Sequence, residues 1–135
     1  MKRIIISGLV AGIALLALSI SGLYLSVWLF PDLSMQYFGP AFNDRSGRYM
    51  VYYTHPFVTG IVLSWFWNRF KSILTGSFIT RGIEFGVVYA LIASLPSLWM
   101  VYSAMSVSLP LLSTWFIFGL LQGGISGMIF EKTNP

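Results

Sequence analysis

The chain contains no cysteine, one histidine and four acidic residues. The missing thiols exclude a disulfide framework, a thiolate metal site and thiol redox chemistry, and with them the disulfide-forming membrane enzymes. No His-x-x-x-His, Glu-x-x-His or Gly-x-Ser-x-Gly pattern occurs, so neither a two-histidine metal site nor a serine nucleophile elbow is written into the sequence. Charge of both signs is scarce, at 9% of 135 residues, where a soluble domain carries about 25%. That scarcity excludes a soluble globule, a nucleic-acid module and a disordered tail.

Apolar residues are what the chain has in abundance. Hydrophobic side chains make up 56% of it and aromatic ones 17%. Four membrane-crossing helices need about 80 apolar residues, which matches that supply. The few charges divide the chain accordingly. Lys2 and Arg3 precede an uncharged run from Ile4 to Pro31, and Tyr49 to Asn68 is free of Lys, Arg, Asp and Glu. Phe85 to Phe130 is also uncharged and has the length of a helical hairpin, with Ser106–Pro110 as its turn. The expectation is an all-α, polytopic membrane protein: a single bundle of four transmembrane helices at about 4–30, 50–68, 82–103 and 110–130. Residues 31–49 form the outer loop and 69–81 a basic inner loop.

Orientation follows from the basic residues of the short connections. With the N-terminus inside, Lys2, Arg3, Arg69, Lys71, Arg81 and Lys132 are cytoplasmic, and only Arg45 and Arg48 are outside. Both termini are therefore predicted to be cytoplasmic, and the membrane to be a bacterial inner membrane. The net charge of +4 reads as this orientation bias, with the lipid bilayer as the partner and no nucleic acid. Trp28, Tyr37, Tyr49, Tyr52, Tyr53, Trp99, Tyr102 and Trp115 would mark the outer interface, and Trp65 and Trp67 the inner one. The first segment also resembles a signal peptide, with Ala17-Leu18-Ser19 as a cleavage site. Its apolar run continues to Phe30, which favours an uncleaved anchor.

Small residues at four-residue spacing form the clearest pattern. Gly8 and Gly12 share one face of the first helix. Gly82, Gly86, Ala90 and Ser94 share one face of the third, and Gly119, Gly123 and Gly127 one face of the fourth. Such ridges let backbones approach closely in lipid, where no hydrophobic effect drives helices together. Either the bundle uses them internally or they meet another chain, in a homo-oligomer or a larger complex. At least two of the three are expected to be internal. Pro96, midway along the third helix, is expected to bend or break it.

Candidate chemistry is confined to a few polar residues. His55 precedes Pro56, which suits a first helical turn, so His55 or Thr54 is expected at a helix cap. The functional alternative makes His55 a base, pH-sensitive group or lone ligand on the outer face, beside Asp32 or Asp44. Glu84 is expected in the first turn of the third helix, favoured by the helix dipole and sharing a face with Arg81. Its alternative is a bundle-facing carboxylate that pairs with Arg69 or binds a cation. Gln122 is expected to hydrogen-bond to a neighbouring helix. Phe70, Ile73 and Leu74 have helical spacing within the inner loop, which is either a headgroup-layer segment or a short solvated turn.

No catalytic residue, metal or cofactor is predicted. The expected role is that of a non-catalytic structural, assembly or accessory component. A small homo-oligomeric transporter or channel, with Glu84, His55, Gln122 and the Pro96 kink along a path, is the alternative. A membrane-embedded enzyme acting on a lipid through His55 is the third reading.

Overall fold

The computed structural model describes residues 1–42 and 49–135. These are mostly helical, with no strand among the described residues. Six α-helices follow one another: α1 (Lys2–Leu29), α2 (Pro31–Ser34), α3 (Tyr49–Phe70), α4 (Phe78–Tyr89), α5 (Leu95–Ala104) and α6 (Leu109–Thr133). Short 3₁₀ turns, Met35–Phe38 and Pro40–Phe42, follow α2, and a π-helical turn, Ala90–Ser94, joins α4 to α5. Three helical stretches are long and apolar enough to cross a membrane: Lys2–Leu29, Phe78–Ala104 and Leu109–Thr133, with mean hydropathies of 2.5, 1.6 and 1.3. Helix α3 is not among them, because Tyr52, Tyr53, His55 and Trp65 lower its hydropathy. Its 22 residues nevertheless extend about 33 Å at 1.5 Å per residue.

Local chemistry sets the helix ends. Proline disfavours helical backbone in the residue before it. Phe30, which precedes Pro31, leaves the helix at φ −132° and ψ 64°, and Pro31 then opens α2. Ser108 caps α6 by accepting a hydrogen bond from the Leu111 N–H, with Pro110 in the first turn. Ser77 caps α4 in the same way through the Thr80 N–H, after Gly76 turns the chain at a φ of 103°. That cap starts α4 at Phe78 rather than near 82. Glu84 therefore lies beyond the first turn, and the expected dipole interaction is absent.

Two prolines fall inside the long helices. Pro56 does not start a helix: α3 is already formed by Tyr49, so neither Thr54 nor His55 is a cap. The Thr54 hydroxyl instead donates to the Met50 carbonyl at 2.8 Å within the helix. Pro96 is accommodated by the π turn immediately before it, in which the Leu95 N–H bonds to the Ala90 carbonyl. A wider turn relieves the clash between a proline ring and the carbonyl four residues back. The helix continues past it as α5.

Packing follows the glycines. Helix α1 lies along α3, where Cβ atoms added to Gly8 and Gly12 would stand 2.6 Å from Ile61 Cα and 2.9 Å from Phe57 Cα. Helix α4 lies along α6 in the same fashion: a Cβ on Gly86 would stand 2.7 Å from Gly124 N, and one on Gly123 2.8 Å from Gly86 Cα. A Cβ on Gly127 would come to 3.0 Å from Gly82 Cα, and Gly119 faces the Ser94 hydroxyl. Ala90, on the same face of the third span, is fully buried. All three ridges therefore meet partners inside the chain, Gly82 and Gly86 facing the ridge of α6.

The core lies at the end of the bundle that carries the N-terminal end of α1 and the C-terminal end of α6. Trp67, Phe85 and Phe130 are buried there with Ala11, Leu63 and Leu74. The three rings pack edge-on or tilted, at centroid separations of 5.3 to 6.1 Å. Trp67 is thus a core residue and not an interfacial anchor, and its indole N–H donates to the Asn134 carbonyl at 3.0 Å. The inner connection is a tight turn, with Leu74 inserted into the core and Ile73 exposed, instead of an amphipathic helix.

Candidate functional site

The bundle packs tightly at the core end, and a second buried cluster, Val107, Leu111 and Leu112, lies at the other. The buried residues of α1 are Ser7, Gly8, Ala11, Gly12 and Leu15, all in its first half. Further along, Gly22 faces the edge of the Phe118 ring instead of a neighbouring backbone.

Between α1, α3 and α6 lies a cleft of about 760 Å³. Its lining is mainly apolar but includes the hydrogen-bonding side chains of Ser19, Ser26, Tyr52, His55, Thr114 and Gln122. Ser26 is satisfied by its own helix, its hydroxyl donating to the Gly22 carbonyl at 2.8 Å. Gln122 is 7% exposed, and among the described residues no other helix hydrogen-bonds to its carboxamide. The expected interhelical bond is therefore not formed, and the amide instead reaches the cleft.

The short helical turns that follow α2 pack against the start of α6, beside the mouth of the cleft. Gln36 makes two bonds to Ser108 at the start of α6: its amide donates to the hydroxyl at 2.8 Å and its carbonyl accepts the Ser108 N–H at 3.2 Å. Tyr37 accepts the Trp115 indole N–H at 2.6 Å, and Phe42 packs edge-on to the Trp115 ring. The 3₁₀ turns are thus anchored on α6. Asn43–Arg48, with Asp44, Arg45 and the turn signals between them, lies outside the described residues.

The structure brings together two of the polar candidates. His55 and Gln122 line the same cleft, with His55 exposed at its lip and its Nε2 3.3 Å from the Thr59 hydroxyl one turn on. Asp32 is exposed on α2 and does not line the cleft. Among the described residues no carboxylate faces His55 there, and no group of three His, Asp or Glu side chains could hold a metal. The described lining can therefore donate and accept hydrogen bonds.

The remaining candidates lie at the core end. Arg81 pairs with Glu131 of α6, not with Glu84, and donates to the Lys71 carbonyl at 2.8 Å. The guanidinium also stacks over Trp67, 5.2 Å from the ring centre. Glu84 is exposed and makes no ion pair among the described residues. Arg69 does not meet it: its guanidinium lies 5.4 Å over the Trp65 ring.

Gly60, Gly124, Glu131 and Gln36 hold the fold but were not among the residues singled out from sequence. Pro56, Gly60 and Ser64 are spaced four apart and all buried, a small-residue face that the same ridge rule could have identified. No protein-family model matches the chain, and no curated protein and no solved structure matches it either.

Proposed function

We propose that this chain is a four-span protein of the bacterial inner membrane, with its N- and C-terminal ends in the cytoplasm, that acts as a non-catalytic accessory component. In this reading its outer cleft receives a transmembrane segment of a larger complex. The observation that carries the reading is the cleft itself, open beside a bundle whose glycine ridges are already occupied.

Helix α3 is the fourth span in this reading. Its roughly 33 Å length suffices for a hydrocarbon layer of about 30 Å, and it lies backbone-to-backbone with α1 at Gly60. A helix that close to a spanning helix shares its layer. The excess of Lys2, Arg3, Arg69, Lys71, Arg81 and Lys132 at one end supports the orientation. A carboxamide and hydroxyls at membrane depth gain from polar partners on another helix, and Gln122 is available for one.

Photo-crosslinking in native membranes tests the functional reading. A crosslinker at Tyr52, on the cleft lip, should yield one discrete adduct that Gln122→Leu removes. A crosslinker at Ile83, exposed on another face, should not yield it. No adduct from any cleft position would count against the reading. Phe38→Cys and Ser72→Cys test the topology, which requires labelling from opposite sides.

The small-transporter reading keeps one supporting observation, the shared position of His55 and Gln122. Glu84 lies outside that cleft. Proteoliposome flux unchanged by His55→Ala would remove this reading.

A further inference from the structure

The cations at the core end divide into two groups. On the α4–α6 side Arg81 pairs with Glu131 and Lys71 donates to the Asn134 carbonyl at 3.2 Å, while Lys132 is exposed and lies 5.0 Å over the Phe78 ring. On the α1–α3 side Lys2, Arg3 and Arg69 are exposed, and among the described residues none of them has an acidic partner. Beside them an apolar groove of about 320 Å³ runs between α1 and α3, lined by Ile4, Ile5, Ile61, Val62 and Trp65.

Arg69 and Trp65 join the groove to the charge. They are one helical turn apart, and the indole that forms the groove wall also carries the guanidinium on its face. Stacking on the ring costs the guanidinium none of its N–H donors, which stay in its plane and free for an oxyanion. The groove accepts a hydrocarbon chain, and the cations at its end accept a phosphate that carries net charge. A zwitterionic headgroup would bring its own ammonium into the same cluster of positive charge, which disfavours it.

We infer that the α1–α3 groove is a binding site for one anionic phospholipid, with an acyl chain along Ile5, Val62 and Trp65 and the phosphate at Arg69 with Lys2 or Arg3. The site is separate from the outer cleft and does not depend on what occupies it.

Native mass spectrometry of the full chain in detergent, with phosphatidylglycerol or phosphatidylcholine added, tests the site. The wild type should retain phosphatidylglycerol preferentially. Each basic residue near a lipid surface contributes about fivefold to anionic-lipid binding, so Arg69→Gln should reduce retention by at least that factor. Lys132→Gln, the same charge change on α6, should leave it nearly unchanged. Val62→Trp, which fills the groove, should reduce retention with every cation intact. Excess inorganic phosphate should not displace the lipid. Arg69 and Val62 are exposed, so neither variant disturbs the core. Equal retention of both lipids, equal effects of Arg69→Gln and Lys132→Gln, an inert Val62→Trp, or displacement by phosphate would each overturn the assignment.

Discussion

Gly60 of α3 lies against the backbone of Gly8 of α1, so close that a Cβ at position 60 would collide with the Gly8 carbonyl oxygen. The same atom would stand 2.8 Å from Gly12 N. Both obstacles are backbone, so only separation of the helices could relieve them. Gly60→Ala should therefore destabilise the bundle by about 1–3 kcal/mol, the usual cost of overpacking. Gly22→Ala meets only the Phe118 ring, which can rotate, and should cost clearly less. Unfolding of both variants in detergent micelles provides the comparison.

The α4–α6 contact makes a sharper contrast. A Cβ on Gly86 would be 2.7 Å from Gly124 N, whereas one on Gly124 would meet nothing nearer than the Gly82 carbonyl at 3.8 Å. The two glycines face each other across one contact, but their Cβ directions differ. Gly86→Ala should lower the unfolding midpoint and Gly124→Ala should leave it nearly unchanged. Equal losses would show that the helices do not cross in this register.

Glu131→Gln should be more costly than its position near a helix end suggests. It leaves the Arg81 guanidinium without its counter-charge, with the two side chains only 17% and 19% exposed. Breaking a fully buried pair costs about 3–5 kcal/mol, and the residual exposure here lowers that to about 2 kcal/mol. Replacing both residues by Met should recover part of the loss, because no unpaired charge then remains. A double-mutant cycle on unfolding free energy measures the coupling.

Gln36→Ala removes both bonds between the 3₁₀ turn and Ser108, worth about 0.5–1.5 kcal/mol each. Amide exchange at Leu111 and Leu112 should accelerate, while exchange around Phe130 should not change. Faster exchange at both places would mean that the turn stabilises the whole bundle.

The sequence alone was enough for the helical class, the turn at Ser106–Pro110 and the small-residue ridges. Each is a local property: a long apolar run must satisfy its own backbone in lipid, and residues four apart share a face whatever surrounds them. The positions of the polar candidates were legible only in part. Glu84 and Arg81 are neighbours on one helix, yet Arg81 turns to Glu131, fifty residues away, a partner no local spacing can specify. Pro56 reads locally as a helix start, but α3 is already formed by Tyr49 and the buried ring sits within it. Tertiary contact likewise decided that Trp67 is core and that Gln122 and His55 line one cleft. The scarcity of charge determined where the chain forms helices long and apolar enough to cross a membrane, because the cost of burying an ion applies residue by residue. What the remaining polar groups face depends on which helices touch, and that is set by the summed volumes of glycines and aromatic rings on surfaces distant in sequence.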